Sequence, residues 1–525
     1  MFIIAKKYDI LILYKNGNHS KGSDSMKKRL AVIDIGSDDI KLNIYERHGD
    51  KLRSVDTLTR DLSLGEDTFL TGRITYESAE KTAQILGGFC RVIGEYNATE
   101  TVAIATTAVR EADNMPYIID QLRIKTGIDI KVIDNRREKM LINKMVFASL
   151  SDEFRASSLI VHLGGGTIGL SVLTDGEITD TLTIFTSALR LSKQFESHGS
   201  IDNLYYSDVI KDYMEGYLYE IEKFLDHSPE NFVLTGSNVD MIAKMCGENG
   251  TDIIHKHGFN TLYKSIKNQS PQQISEKYDI PLDNADVMLS AVIILNRLLK
   301  YTSADKIYCP DASISDAIAY TRLFPKESGL IDRRFEEFTV TSAKKISRRF
   351  MVNSAHVDIV SSTALMIFDR LKKYHGLGGE ERLLLHLACI LQNCGKFVNV
   401  TQHHVHSYNI INGLNIVGID DAQRRILALI SLYHNRPPRS IQGVSPSELV
   451  VIAKLCVILQ IANSINKSYT KGFEKTEAAV RGSRLIITVH TYKNIELEKW
   501  SFMKCEPFFR EVYGLEAELR KKGVM

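Results

Sequence analysis

The stretch Ser158–Gly169, SLIVHLGGGTIG, decides the fold prediction because an apolar run ends there in three successive glycines. A short apolar run bounded by turn residues is typical of a buried strand. Each glycine loses more conformational entropy on folding than any other residue, so a plain hairpin seldom needs three. Close approach of the backbone to a bound oxyanion explains Gly164, Gly165 and Gly166 better.

An earlier stretch, Leu30–Asp39, LAVIDIGSDD, shows the same plan of an apolar strand followed by a turn. Backbone N–H groups around Gly36 and the hydroxyl of Ser37 can approach a phosphate in such a turn. The flanking carboxylate of Asp34 can hold a hydrated Mg²⁺ ion. Hairpins also use Gly, Ser and Asp for turn geometry, so this turn alone leaves both interpretations open.

Two more segments follow predicted strands. Gly236 and Ser237 lie in the turn Leu234–Asn238, which opens a predicted helix, and a helix N-terminus favours anions. Arg110 lies in Ala105–Ala112, at the end of a buried strand, where its planar guanidinium could grip a phosphate. A surface arginine near a helix start is an equal alternative. Three glycine turns at strand ends are harder to explain as purely structural.

The order of predicted elements indicates an α/β protein of several domains. The first two-thirds repeats one plan, strand, glycine turn, alternating strand and helices, which predicts two related lobes with a cleft between them. Amphipathic helices run from about 330 to 470, followed by a strand at 484–490 and a last helix near 507–522. The predicted limits are, in order, a flexible extension 1–25 before a start at Met26, lobes 26–140 and 141–328, a helical domain 333–470 and a small α+β domain 471–525.

Composition excludes several classes of protein. With 44% hydrophobic and 25% charged residues, the 525-residue chain is neither disordered nor fibrous. Its net charge of +2 does not predict a nucleic-acid partner. The seven cysteines form no Cys-x-x-Cys pair, which argues against a disulfide framework or structural zinc and favours the cytoplasm. From the sequence alone, no stretch is expected to be long and apolar enough to span a membrane, so no membrane association is expected.

Taken in order, these segments resemble the exopolyphosphatase / guanosine pentaphosphate phosphohydrolase (Ppx/GppA) family, which has two actin-like (ribonuclease H-like) lobes. The resemblance covers about residues 28–325 and extends through the helical third. Asp34–Asp39 resembles the family's first phosphate loop, Thr106–Arg110 its Thr-and-Arg turn, and Gly164–Thr167 its glycine-rich loop. The segment Asn135–Ile142 resembles the helix start that carries the catalytic Glu, which falls on Glu138.

The resemblance implies hydrolysis of phosphoanhydride bonds, with inorganic polyphosphate as the expected substrate and terminal orthophosphate as the product. Glu138 would activate water, while Arg110 and Mg²⁺ would offset charge on the phosphoryl oxygens. The expected phosphate-binding residues come from four turns: Gly36, Ser37, Asp38, Thr107, Gly164, Gly165, Gly166, Thr167, Gly236 and Ser237. A guanosine pentaphosphate phosphohydrolase and a catalytically weakened binding regulator remain alternatives, and a homodimer stays open.

Three positions depart from the family pattern. The usual Asp before the glycine-rich loop is His162, and the Glu of the following strand is Gly169. Imidazole is a poor ligand for Mg²⁺, so the sequence predicts altered or reduced metal-dependent activity with Asp34 as the remaining metal ligand. The family's Gly-Leu-Arg-Glu-Gly segment is Ser313–Ala317 here, and its Arg is lost.

The helical third resembles an HD-type domain, whose active members bind a divalent metal through a His, a His-Asp pair and a later Asp. These positions fall on His356, Gln392-Asn393 and Asn463. Three of the four ligands are therefore amides, and we predict that this domain is not a second metallohydrolase. The histidine-rich segment Gln402–Ser407 fits either a positive channel for a polyanion or histidines packed between helices. A metal site formed by its three histidines is the least favoured interpretation.

Overall fold

The apolar runs Leu30–Ile33 and Leu159–Val161 form central strands of two separate sheets and are almost fully buried. Unbroken hydrophobicity is what a strand covered on both faces requires. The computed structural model describes residues 28–197, 203–225, 228–248, 252–469 and 475–523. The predicted extension 1–25 and the proposed start at Met26 lie outside these residues.

Residues up to Phe335 belong to one compact unit and residues from Glu336 onward to a second. This division has two units, whereas the sequence predicts four domains after the extension, so the finer domain limits stay predictions. The first lobe of the first unit contains five strands and five helices: β1 (Arg29–Ile35), β2 (Asp39–His48), β3 (Lys51–Asp61), α1 (Leu64–Thr71), α2 (Tyr76–Glu95), β4 (Glu100–Ala105), α3 (Thr107–Glu111), α4 (Met115–Thr126), β5 (Ile130–Val132) and α5 (Asn135–Ser149).

The second lobe follows directly along the chain. Its elements in the described residues are α6 (Asp152–Ala156), β6 (Ser157–Leu163), β7 (Ile168–Thr174), β8 (Glu177–Ile184), α7 (Ala188–Ser197), α8 (Asn203–Phe224), β9 (Asn231–Gly236), α9 (Val239–Met245), β10 (Ile253–His255), α10 (Lys256–Ile266), α11 (Pro271–Tyr278), α12 (Leu282–Leu299), β11 (Lys306–Tyr308) and α13 (Ile314–Leu323). Helix α14 (Pro325–Arg349) continues into the second unit.

The two sheets have the same topology. The strand order is β3-β2-β1-β4-β5 in the first and β8-β7-β6-β9-β11 in the second, where β10 adds an antiparallel edge. In each sheet the first three strands are antiparallel, and the other two lie parallel to the central strand. The predicted repeat of one plan is therefore correct, and the turns that follow β1 and β6 occupy equivalent places.

The second unit is mostly helical and ends in a small sheet. Its elements are α15 (Ser354–Arg370), α16 (Lys372–His375), α17 (Gly379–Leu391), a 3-10 helix (Cys394–Phe397), α18 (His403–Gly413), α19 (Asp421–Leu432), α20 (Pro446–Ile465), β12 (Lys475–Arg481), β13 (Arg484–His490), α21 (Glu496–Tyr513) and β14 (Glu516–Lys522). The predicted helix near 507–522 is wrong in its second half. Gly514 adopts a left-handed conformation that ends α21, and Glu516–Lys522 pairs in parallel with β13.

Helix α20 is long and apolar enough to pass a length-and-composition test for a membrane span, contrary to the sequence expectation. Of its most apolar window, 61% is buried within the protein. Ile452, Leu455, Val457 and Ile461 are fully covered in the core of the second unit. A buried core helix passes the same test, so this composition reflects its place between other helices.

Candidate active site

The turn after β1 is held in one shape by backbone hydrogen bonds. The N–H of Gly36 donates to the carbonyl of Asp39 at 2.9 Å, and Gly65 donates to the carbonyl of Ser37 at 2.8 Å. A Cβ on Gly36 would lie 3.0 Å from the Asp39 carbonyl oxygen, so only glycine fits easily. The buried Oγ of Ser37 has no hydrogen-bond partner among the described residues. A buried hydroxyl in this state fits a site that is completed by a ligand.

The glycine loop after β6 rests on the first lobe. A Cβ on Gly165 would lie 2.8 Å from both Cβ and Oγ of Ser37, and one on Gly166 would lie 2.1 Å from Cγ2 of Thr107. The loop closes on itself through the N–H of Gly164, which donates to the carbonyl of Thr167 at 2.9 Å. Three turns that are far apart in the sequence therefore meet at one place.

Two contacts that the sequence did not reveal hold this junction. The hydroxyl of Ser187, just before α7, donates to the carbonyl of Gly165 at 2.6 Å. Arg190 of α7 forms an ion pair with Glu111 of α3 at 2.5 Å, which joins the second lobe to the first. In each contact the two residues are far apart in sequence. No sequence motif around Ser187 or Arg190 predicts either contact.

Arg110 lies on α3 with its guanidinium held from several sides. It donates to the carbonyl of Ile133 at 2.6 Å and to Oγ1 of Thr107 at 2.8 Å, and it also contacts the side-chain oxygen of Asn135. Its Nη1 lies 3.4 Å from a carboxylate oxygen of Glu138. Four partners fix the planar guanidinium, so its position is set before any ligand binds.

Glu138 lies in the first turn of α5, whose first N–H groups are capped by the side chain of Asp134 at 2.9 Å. Its side chain is only 13% exposed. Burial raises the pKa of Glu138, the ion pair with Arg110 lowers it, and the charge of Asp134 raises it again, with a net upward shift. A carboxylate with a raised pKa beside a fixed cation is a candidate proton acceptor.

Asp34, at the end of β1, lies close enough to Glu138 for the two carboxylates to repel. Burial raises the pKa of Asp34 to about 7, with added repulsion from Glu138. Its buried Oδ1 has no hydrogen-bond partner among the described residues. Burial and the neighbouring Asp39 also raise the pKa of Asp38 to about 7.

These oxygen ligands fit a hard cation. Mg²⁺ binds through one or two carboxylates and otherwise keeps water or substrate phosphates. The unpartnered Oδ1 of Asp34 is the feature that a cation would satisfy. Within the described ranges, no group of three or more His, Cys, Asp or Glu side chains is arranged around a common metal position. Asp34 is therefore a candidate ligand for Mg²⁺.

His162 lies beside the glycine loop, and its Nδ1 is 3.1 Å from Oγ1 of Thr235. Burial lowers the pKa of His162 to about 4, so the imidazole is neutral at pH 7. It pairs across the sheet with Gly169, and the stem of Lys139 covers that glycine, since a Cβ there would lie 3.4 Å from Cδ of Lys139. Where the family pattern has two carboxylates, this chain has a neutral ring and a lysine stem.

The third glycine turn is at the same sheet edge but more exposed. The N–H of Ser237 donates to the carbonyl of Leu163 at 2.9 Å, next to Gly164. Gly236 has a φ of +112°, and a Cβ there would lie 2.2 Å from the same carbonyl oxygen. The helix that follows has seven residues, α9, and its Asn238 makes no side-chain cap. The structure thus brings this turn to the margin of the junction.

The profile of the Ppx/GppA phosphatase family matches residues 43–322, just over half of the chain. The chain belongs to this family. The profile of Ppx/GppA domain III matches residues 339–504, in the second unit. Together the two matches cover most of both lobes, without β1 and the turn that follows it, and most of the helical third.

Two relatives and one solved structure are similar to parts of the chain. The bifunctional 3-dehydroquinate synthase/phosphatase of Fusobacterium nucleatum is 25% identical over 297 residues, 53% of this chain and 44% of that protein. Exopolyphosphatase 1 of Mycobacterium tuberculosis (strain H37Rv) is 22% identical over 296 residues, 54% of this chain and 85% of that protein. An exopolyphosphatase crystal structure from Cytophaga hutchinsonii has a TM-score of 0.52 at 23% identity, covering 56% of this chain and 98% of that chain.

The structural likeness, which covers 56% of the chain, supports the fold of the two actin-like lobes. The helical region and the small sheet that follow are features of this structure itself. The matched region spans less than half of the first relative. The segment Ser313–Ala317, which stands where the family has Gly-Leu-Arg-Glu-Gly, contains the N-cap residue and the first turn of α13. Asp316 caps that helix through Ser313 and accepts a hydrogen bond from the Tyr45 hydroxyl at 2.9 Å. Asp316, next to Ser315 where the family's Arg is lost, therefore has a structural role in holding α13 against β2.

Three of the four positions matched to an HD metal site contact other side chains of the second unit. The side-chain amides of Gln392 and Asn463 bond to each other twice, at 3.0 and 2.7 Å. His356 is 3.0 Å from the Asn466 amide and stacks on Tyr469, with ring centroids 4.0 Å apart. The side-chain oxygens of Gln392 and Asn463 are therefore each engaged by the other residue. That the helical domain is not a second metallohydrolase stays a prediction from the amide residues at these positions.

Proposed function

We propose that this chain is a phosphoanhydride hydrolase that releases terminal orthophosphate from inorganic polyphosphate. The observation that supports it most is the convergence of three turns, around Ser37, Thr107 and Gly165, beside the Arg110–Glu138 pair. Backbone N–H groups and hydroxyls in such turns bind phosphate oxygens. The names of relatives that include exopolyphosphatases point to the same substrate class.

Glu138 would accept the proton of the attacking water. Attack on the terminal phosphorus forms a P–O bond to the water oxygen and breaks the bridging P–O bond, so the shortened chain leaves with the electron pair. The raised pKa of Glu138 brings its proton affinity closer to that needed at neutral pH. Arg110, fixed by four partners, would offset the charge that develops on the phosphoryl oxygens.

Asp34 would hold Mg²⁺ in this site, and the ion when bound would neutralise negative charge on the substrate phosphates. The phosphate-binding groups proposed beside it are the loop residues Gly36, Ser37, Asp38, Thr107, Gly164, Gly165, Gly166 and Thr167, with Gly236 and Ser237 at the margin. We propose that this chemistry takes place in the cytoplasm, where the unpaired cysteines would stay reduced.

A second candidate function is binding without efficient turnover. The neutral His162 and the lysine stem over Gly169 favour it, because both replace carboxylates that would help to hold the metal. Hydrolysis of guanosine pentaphosphate is the other alternative, since the same phosphate turns would hold a nucleotide polyphosphate.

One experiment separates these functions. Release of orthophosphate is measured from long-chain polyphosphate and from guanosine pentaphosphate, for wild type and Glu138→Gln. We expect turnover of polyphosphate by wild type and a loss of about 10²–10⁴-fold in Glu138→Gln. Glu77→Gln is the matched control, because Glu77 is an exposed first-turn residue of α2.

Phosphate release from guanosine pentaphosphate but not from polyphosphate would support the guanosine pentaphosphate phosphohydrolase. Binding of both ligands with no phosphate release by wild type would support the regulator. Wild-type rates in Glu138→Gln would refute the proposed base and leave the fold assignment untouched.

A further inference from the structure

A pair of histidines in the second unit faces each other through nitrogen atoms. Nε2 of His403, at the start of α18, lies 3.2 Å from Nε2 of His434, just after α19. The ring centroids are 5.2 Å apart. His434 is only 8% exposed. The two residues are 31 positions apart in sequence, so only the packing of α18 against α19 brings them together.

The other nitrogen of each ring is already committed as a donor. Nδ1 of His403 lies 3.0 Å from the carbonyl oxygen of Val400, and Nδ1 of His434 lies 2.7 Å from that of Ser431. A carbonyl oxygen only accepts, so both Nδ1 atoms must carry hydrogen. In the neutral ring each Nε2 then has a lone pair and no hydrogen.

Two such lone pairs directed at each other repel unless a positive species lies between them. His375 in the same unit shows the ordinary arrangement, because its Nε2 meets the carbonyl of Phe368 and its Nδ1 accepts the N–H of Leu377. His403 and His434 have no complementary assignment of this kind. The species between them is either a shared proton or a metal ion.

We propose that His403 and His434 bind a transition-metal ion of the zinc type through their Nε2 atoms. With Zn–N bonds of 2.0–2.1 Å, a separation of 3.2 Å corresponds to an N–Zn–N angle of about 100°. That angle is close to tetrahedral. Donation of Nδ1–H to a backbone carbonyl is the outer contact that metal-ligating histidines usually make, and it fixes the tautomer that the metal needs.

Burial disfavours a protonated ring in this pair. It lowers the pKa of His434 to about 3, against the hydrogen bond to the Ser431 carbonyl, which raises it. Burial also lowers the pKa of His403, against the hydrogen bond to the Val400 carbonyl. Imidazole binds zinc-type ions far better than Mg²⁺. In the described ranges no third His, Cys, Asp or Glu completes the set, so water would take the remaining positions.

The test uses the full chain, stripped of metal and titrated with Zn²⁺ against a chromophoric chelator. We expect one site per chain in wild type and at least about a tenfold loss of affinity in His403→Gln, since even an outer-shell change costs that much. His404→Gln is the matched control, because His404 is the next residue on α18 and lies outside the pair. Zn²⁺ should raise the melting temperature of wild type and His404→Gln, and not that of His403→Gln.

A cobalt absorption spectrum gives an independent readout, because tetrahedral Co²⁺ absorbs strongly and the band should vanish in His403→Gln. Circular dichroism shows whether that variant stays folded. Equal Zn²⁺ affinity in wild type and folded His403→Gln would overturn the proposal. So would a wild type that binds no Zn²⁺, and one protonated ring in its nitrogen-15 spectra at neutral pH would then identify the shared proton.

Discussion

A Cβ on Gly166 would lie 2.1 Å from Cγ2 of Thr107, so the glycine loop of the second lobe touches the first turn of α3. This contact joins the lobes at the candidate site, and it explains why the third glycine of the run carries no side chain. At this contact a loop that follows a strand of the second sheet meets the start of a helix that follows a strand of the first sheet.

Gly166→Ala should therefore destabilise the protein by about 1–3 kcal/mol and lower phosphate release, because a methyl group forces the loop away from α3. Gly87→Ala is the control, since Gly87 lies in α2 with no atom within 4 Å of its added Cβ. Alanine is the better helix former, so that change should stabilise by up to about 1 kcal/mol. Chemical denaturation measures both.

Thr107→Ser removes Cγ2 and keeps the hydroxyl. The double variant with Gly166→Ala and Thr107→Ser should therefore recover part of the stability that Gly166→Ala loses. A Gly166→Ala protein with wild-type stability and activity would contradict the contact.

Arg110 should set the pH dependence of the candidate base. The guanidinium beside Glu138 lowers the pKa of that carboxyl against the larger effect of burial. In Arg110→Met the pKa of Glu138 rises, and the acidic limb of kcat/KM against pH should move up by about one unit or more. Arg110→Lys keeps the charge, so its limb should move less, although its rate falls because the planar guanidinium is lost. An unmoved limb in Arg110→Met would exclude Glu138 as the group that titrates there.

His162 should control the metal requirement. A neutral imidazole stands where a carboxylate would help to hold Mg²⁺, and the pKa of His162 is lowered to about 4 by burial. His162→Asp should reduce the Mg²⁺ concentration for half-maximal phosphate release by about tenfold, equivalent to about 1.4 kcal/mol. His162→Asn has the same size without the charge and should leave that concentration unchanged. Equal Mg²⁺ dependence in all three proteins would place position 162 outside the metal's reach.

Much of the fold could be predicted because its signals are local. The apolar runs that become β1 and β6 end in turn residues, and two copies of one strand order follow from repeated short patterns. The convergence of the turns at Ser37 and Gly165 was predictable because equivalent strand ends of two related lobes face one cleft. The prediction of secondary structure is wrong at the end of the chain. The charged segment Glu516–Lys522 resembles the end of a helix in sequence, but in the structure it pairs with β13.

The contacts between elements could not be predicted. Ser187 and Gly165 are 22 residues apart, and nothing in either residue type indicates the hydrogen bond between them. His434 stands outside the histidine-rich segment that drew attention, and only tertiary packing directs its Nε2 at His403. A linear pattern records which face of an element is apolar and leaves open which partner that face meets.

Asp34 should make the protein less stable as pH rises. In the folded state burial and Glu138 raise its pKa to about 7, from an ordinary value of 3.8. The folded protein therefore keeps a proton that the unfolded chain releases near pH 4, so folding stability falls as pH rises from about 4 to about 7. Asp34→Asn removes the buried charge and should stabilise the protein by about 1–3 kcal/mol at pH 8, with no gain at pH 4.

Denaturant unfolding at pH 4, 6 and 8 checks this dependence on the carboxylate of Asp34. Asp39→Asn is the control, because the Asp39 carboxylate is 35% exposed and pairs with Lys41 at 3.0 Å, so its removal should bring no gain at pH 8. The same Asp34→Asn protein should lose phosphate release, since the oxygen proposed to hold Mg²⁺ loses its charge. A gain in stability that is equal at pH 4 and pH 8 would show that the pKa of Asp34 does not change on folding, and a loss at pH 8 would show that its charge is compensated in the folded state.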